Sequence, residues 1–343
     1  EEKKEETKAA AKPAPKATPK PDPISLKMIS AWPETSTLNN IRDVAFQEAV
    51  AELSDGALII ERAGGPESVP TFEQFDPVRE GVFDVLSTVG QYHGSVTSIW
   101  VYSTMLSVPR PMANYEKAIM DCGMTDWLRQ GYDDIVGDVR YLGTTRSATG
   151  VRMLVTKPDM VKADGSVSGK LRGASPGHVA VMETFGAAGV RMPLPTVYEA
   201  IDRGVIDGVW TGGGYALIHN FKLHEVAPWI VDNSNGTGGG ETLVNKAAYD
   251  KLPKNLQEVL DNATLQSTAI AEDKLIKAHG ESYKAMKADG LQEITLSSDG
   301  KARWGDAFLN VQFDSVASGE PDGYNSRSIY NDFQAYIMGK VGG

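Results

Sequence analysis

Cysteine is nearly absent: Cys122 is the only one in 343 residues. A single thiol excludes an internal disulfide and any zinc site built on cysteine pairs. It fits a cytoplasm and a bacterial periplasm equally well. Excess basic charge is missing too. The formal net charge is −11, which argues against a nucleic-acid partner, because that recognition needs a basic face. A small anionic ligand is not excluded, since one well-placed arginine decides that locally. No apolar run approaches the ~20 residues of a membrane span. Histidines number only five and are scattered, with no H-E-x-x-H, so no metal and no cofactor are expected. The chain starts without Met and without an apolar signal core, and reads as a mature or trimmed form.

What is present suits a globular protein. Apolar residues make up 41%, enough for a core, and the length suggests about two domains. The first 23 residues are Lys, Ala, Pro and Glu, with six Lys against five acids. They cannot build a core and read as a disordered tether. One account is a low-complexity tail. The other is a lipoprotein spacer, whose signal peptide and lipidated cysteine would precede residue 1.

From Ile24 the pattern changes. Ile24 to Ser30 reads as a strand, and residues 36–53 as a helix with Leu38, Ile41, Ala45 and Ala49 on one face. Ala57 to Arg62 and Val82 to Leu86 read as strands, with a short helix over 71–80 between them. Residues 114–131 read as one helix. Val139 to Leu142 and Val151 to Val155 read as strands marking a crossing between two lobes, and the glycine-rich stretch 233–240 as a second crossing. Pro253 to about Ala288 is helix-like throughout, about 54 Å if straight, and is expected to span both lobes. Beyond it only a final helix near Ile329 to Met338 gives a signal.

The most informative stretch is Gly169 to Trp210, which reads strand, helix, strand, helix, strand. Ser175-Pro176 opens the first of these helices, Ser as cap and Pro at the first helical position. Thr196-Val197-Tyr198-Glu199 has the form of a capping box before the second. Short alternating β and α pieces imply a parallel sheet covered by helices, with ligands bound beyond the carboxyl ends of its strands.

Chemistry-bearing residues are few. Gly173-Ala174-Ser175-Pro176-Gly177 matches G-x-S-x-G, with His219, His224 and His279 as nominal partners of a nucleophile. Pro176, however, has no N–H for the oxyanion hole that such an elbow builds on the residue after the serine. A serine hydrolase is therefore the remote reading, and Ser175 is better explained as a cap. Arg152 and Arg172 each lie in apolar strand sequence, where a guanidinium must find an anion. Either serves an internal ion pair or clamps a ligand carboxylate in two-pronged fashion. Trp32, Tyr92, Trp210 and Tyr215 follow strands and are placed to line such a site, as is Thr211. Glu67, in Gly64-Gly65-Pro66-Glu67, is a candidate acceptor for a ligand hydroxyl or amine.

These elements together resemble the extracytoplasmic solute-binding subunits of TRAP transporters, the DctP type. The carriers are Gly150-Val151-Arg152, Lys170-Leu171-Arg172, Pro193 through Ile201 and Gly204-Val205-Ile206-Asp207-Gly208. Ala63 to Glu67, Val78 to Asp84 and Lys251-Leu252-Pro253 fit too, so the likeness spans about residues 24–290. It implies an α/β, two-lobed Venus-flytrap fold, periplasmic and not an enzyme. The expected division is lobe I over 24–147 plus about 236–262. Lobe II takes 148–235 plus parts of 263–343, with the C-terminal helices. An organic acid would sit in the cleft, gripped by Arg172 and assisted by Arg152, and pass to a small and a large membrane subunit. A monomer is expected. Where many members carry Asn soon after the Asp-Gly pair, this chain has Val209-Trp210-Thr211-Gly212, which suggests a flatter or more apolar acid. The alternative in this class is a ligand sensor that presents its closed form to a receptor.

Overall fold

The computed structural model describes residues 22–97, 99, 115–146, 150–235, 239–317 and 326–341. The tether expected over 1–23 therefore lies outside the described residues, apart from Asp22 and Pro23. Two sheets form. The chain lays down β1 (Ile24–Ser30), β2 (Leu58–Gly64), β3 (Val85–Thr88) and β4 (Val139–Arg146) in the first. It then enters the second with β5 (Val151–Val155), β6 (Lys170–Gly173), β7 (Ala188–Arg191), β8 (Gly208–Thr211) and β9 (Trp229–Asn235). β10 (Gly239–Asn245) returns to the first sheet and β11 (Gln292–Ile294) to the second. The orders are β2-β1-β3-β10-β4 and β11-β9-β5-β8-β6-β7.

β1, β2 and β3 run parallel, as do β6, β7 and β8. Each of these runs is a βαβαβ unit, as the short α and β pieces predict. β10 enters the first sheet antiparallel between β3 and β4, and β5 enters the second antiparallel between β8 and β9. The chain thus passes between sheets after β4 and again after β9, the two places read as crossings. β5, β8 and β10 are buried along their whole length. That suits the largely apolar sequences of β5 and β8, since a central strand covered on both faces has no wet side to alternate with, whereas β10 buries Glu241, Thr242 and Asn245 as well.

The helix Lys254–Ala288 is the third link. Its 35 residues reach roughly 52 Å. Leu256, Leu260 and Ala263 pack with Leu26, Met28 and Phe46 under the first sheet. Ala271, Leu275 and Met286 pack with Leu154, Val209 and Ile230 under the second. One rigid rod therefore contributes to both cores. It approaches β4 closely at Gly143 (φ +154°), where the Thr264 side chain fills the space a Cβ would take.

Three local expectations differ from the structure. The helix read over 114–131 is two, Tyr115–Asp121 and Met124–Ile135, broken by Gly123 at φ +83°; Asn114 lies outside the described residues. Thr196 forms no capping box. It closes a 3-10 turn, Leu194–Thr196, in helical dihedrals, and its hydroxyl donates to the Pro193 carbonyl at 2.9 Å. A cap residue needs extended dihedrals to reach the free N–H groups. The helix Ser298–Ala317 has no clear sequence signal, yet it carries Trp304, stacked on Phe185 at 4.1 Å in a further core cluster with Met153, Leu171 and Trp210.

Candidate functional site

A cleft of about 630 Å³, counted out to its mouth, lies between the two sheets. The first sheet lines it from beyond its strand ends: Trp32 follows β1, and Val89, Gln91 and Tyr92 follow β3. The helix Thr37–Leu53 adds Leu38, Asn39 and Arg42. The second sheet contributes Arg172 and Ala174 at the end of β6, and Thr211, Gly212 and Gly213 at the end of β8. His178, Leu194, Leu217 and Phe308 complete that wall. Gly213 has φ +81° and its α-carbon faces Leu217 so closely that a Cβ would overlap it, so the turn that lets Leu217 reach the cleft requires glycine there.

Of the residues read from sequence, Arg172, Trp32, Tyr92 and Thr211 share this cleft. The Trp32 and Tyr92 rings lie 6.3 Å apart between centroids. Four others do not line it. Trp210 precedes Thr211 on β8, so its side chain points to the opposite face. There it is fully buried against Trp304 and Phe308, and backs His178 at 4.9 Å. Arg152 pairs with Thr211 across β5 and β8, but its guanidinium lies 5.0 Å over the Tyr215 ring in a separate pocket with Glu293. Glu67 is exposed in the loop after β2.

Arg172 is 1% exposed. Its Nε donates to the Met192 carbonyl at 2.8 Å, while Nη2 is buried without a hydrogen-bond partner. Among the described residues no carboxylate pairs with it, and the cleft lining contains no Asp, Glu or Lys. Burial pulls this guanidinium below its ordinary value; the Tyr92 phenol opposes that and the nearby Arg191 charge adds to it. Burial, with Arg172 adding, pushes His178 down to about 3, so its ring is neutral near pH 7. The His178 Nδ1 accepts from the Ala174 N–H at 3.3 Å, which leaves Nε2 to carry the proton.

Arg42 escaped the sequence reading. It is 5% exposed, its Nη1 donates to Asn39 Oδ1 at 3.2 Å, and its Nε is buried without a partner. Burial lowers it to about 10, against the opposing charge of Asp43. Asp43 is already engaged by Arg62 at 2.9 Å and by the Ser87 hydroxyl at 2.5 Å. Two buried guanidinium groups, one from each side, thus face one cleft, and among the described residues neither forms a salt bridge; the carboxylate that acts on Arg42, Asp43, is held by Arg62. Arg191 adds a link across the cleft: its Nη2 donates to the Tyr92 carbonyl at 3.0 Å and its guanidinium lies 4.4 Å over the Phe72 ring.

Ser175 does what a cap does. It is fully buried and accepts from the His178 N–H at 3.1 Å. His279, a nominal partner for it, instead accepts at Nδ1 from the Ala216 N–H at 3.1 Å.

Two α/β lobes joined by paired crossings and a shared helix, with a cationic cleft between them, define a two-lobed solute-binding protein. The chain belongs to the bacterial extracellular solute-binding protein family 7, the DctP family of TRAP transporters, whose model matches residues 29–317. It is 23% identical over 319 residues to a monocarboxylate 2-oxoacid-binding periplasmic protein of Nostoc, covering 90% of this chain and 83% of that one. Among solved structures it resembles a TRAP solute-binding protein of Bordetella bronchiseptica described with calcium and picolinate. The TM-score is 0.79 at 17% identity, over 93% of each chain. A Desulfovibrio salexigens relative described with orotic acid superposes with a TM-score of 0.78 at 16% identity, over 91% of this chain and 99% of that one. The protein is a binding subunit and not an enzyme.

Proposed function

We propose that the cleft captures an organic acid whose carboxylate lies on Arg172, with Tyr92, Trp32 and Thr211 around it. The observation that carries this reading is the buried Arg172 guanidinium, whose Nη2 has no hydrogen-bond partner and which meets no carboxylate among the described residues. A charge held that way is costly until an anion completes it. Arg42, reaching in from the other lobe, receives a second acceptor group of the same ligand. Contacts from both lobes exist together only when the cleft is shut, so ligand favours the closed form.

The wider assignment follows the family. Lobe I takes residues 24–147 plus about 236–262; lobe II takes 148–235 and parts of 263–343. The protein works as a periplasmic monomer, held by a lipid anchor upstream of residue 1, and hands ligand to the small and large membrane subunits. Calorimetry of the Arg172→Ala variant tests the core of this. Binding of the acid should weaken by about 2–4 kcal/mol, and unchanged affinity would overturn the reading.

A further inference from the structure

Away from the cleft, two histidines that sequence left scattered come together. His219 lies in the last turn of the helix Gly214–Asn220, and His224 in the short helix Leu223–Val226. Asp289 is the residue that ends the long helix. One donor atom from each of the three lies within 4.8 Å of the others. His224 is 4% exposed, yet neither ring nitrogen makes a well-formed hydrogen bond; its one side-chain contact of that kind among the described residues is a long one, to Asp289. A buried imidazole normally has at least one partner.

We propose that His219, His224 and Asp289 form a binding site for a divalent transition-metal ion, zinc foremost. The His224 Nε2 stands 3.5 Å from Asp289 Oδ2, long for a hydrogen bond. Two ligands of a tetrahedral zinc ion, each ~2.0–2.1 Å from the metal, are about 3.3 Å apart. The two imidazole rings are already neighbours, 5.5 Å between centroids. A modest rotation of the half-exposed His219 and the exposed Asp289 closes the set. Two imidazole nitrogens and one carboxylate suit zinc, copper or nickel, whereas calcium and magnesium take oxygen. The nearby Lys222 cation is paired with Glu225 at 3.8 Å, which limits its repulsion of a metal. A fourth position is left for water.

The site has a structural consequence. The helix that carries His219 begins at Gly214, next to Gly213, and its Leu217 lines the cleft. A metal ion would pin the far end of that helix to the end of the long helix, and so steady one wall of the cleft. The site itself does not depend on what the cleft binds.

The test uses the full chain without a histidine tag, stripped by a chelator and dialysed against zinc, with metal content measured by elemental analysis. One ion per chain is expected, together with a rise in thermal midpoint. Cobalt in place of zinc should give visible tetrahedral ligand-field bands. His224→Asn and Asp289→Asn should each weaken zinc binding at least tenfold and remove those bands. Asp289 is exposed, so its variant guards against misfolding, checked by circular dichroism without metal. Less than one zinc per chain in the parent would overturn the proposal. So would stoichiometric binding that survives in both variants.

Discussion

Replacing Arg172 by Met separates a binding arginine from a structural one. The side chain is buried, Nε holds the Met192 carbonyl, and Nη2 has no partner. Were Arg172 half of an internal ion pair, removing it would strand a buried carboxylate and cost about 3–5 kcal/mol of stability. No such carboxylate is present among the described residues. Met fills most of the volume, removes a costly desolvated charge and gives up one hydrogen bond. Those effects oppose each other, so the ligand-free protein should stay within about 1 kcal/mol of the parent. Ligand binding behaves differently. The acid loses its charge-assisted contact with a buried guanidinium, worth about 2–4 kcal/mol, or roughly 30- to 1,000-fold in Kd. Urea unfolding of stripped protein reads the first quantity and calorimetry the second. Affinity kept within threefold, or a stability loss above about 3 kcal/mol, would refute the reasoning.

Other perturbations probe separate parts of the account. Arg42→Gln should weaken binding about tenfold or more for a ligand with a second acceptor group. It should change little for one that ends at a single carboxylate, a contrast that calorimetry with paired ligands reads directly. Burial holds both His93 and His178 near 3, below the ordinary 6.5. Between those limits the unfolded chain takes protons that the folded rings refuse, so stability rises with pH and is lost as pH falls below 6.5. The slope is about 1.4 kcal/mol per pH unit per ring, and a flat series of urea midpoints between about pH 5 and 6 would contradict it. Gly143→Ala would drive a methyl group into Thr264 at the junction of β4 and the long helix. A loss of about 1–3 kcal/mol is expected in urea unfolding, with ligand affinity little changed.

Much of the fold was legible because punctuation and period agreed. Between Lys170 and Thr211 each helix is bounded by Pro or Gly and each strand is short, so the order of elements is readable directly. The site was only half legible, for a geometric reason. Sequence places residues near strand ends but does not say to which face they turn. Trp210 and Thr211 are neighbours in the chain and occupy opposite faces of β8, so the sequence names both as candidates and only Thr211 lines the cleft. Arg152 and Arg172 looked alike in strand context, but only Arg172 sits where the strand end opens between the lobes. Arg42 was hidden for another reason. The helix Thr37–Leu53 was read by its apolar stripe, and Asn39, Arg42 and Asp43 are buried beside that stripe. A helix enclosed by the sheet, the long helix and the cleft buries more than its apolar face. The convergence of His219, His224 and Asp289 depends on where the long helix ends in space, which residue spacing does not encode.

The most direct test of the central claim is a thermal-shift series on stripped protein. Organic acids of varied size and aromaticity are each paired with their uncharged amide. A ligand at 100 times its Kd adds about 2.7 kcal/mol, enough to move the midpoint by a few degrees. The account predicts that at least one acid raises the midpoint, that its amide does not, and that Arg172→Met abolishes the response. Shifts produced equally by acid and amide, or retained in Arg172→Met, would contradict it.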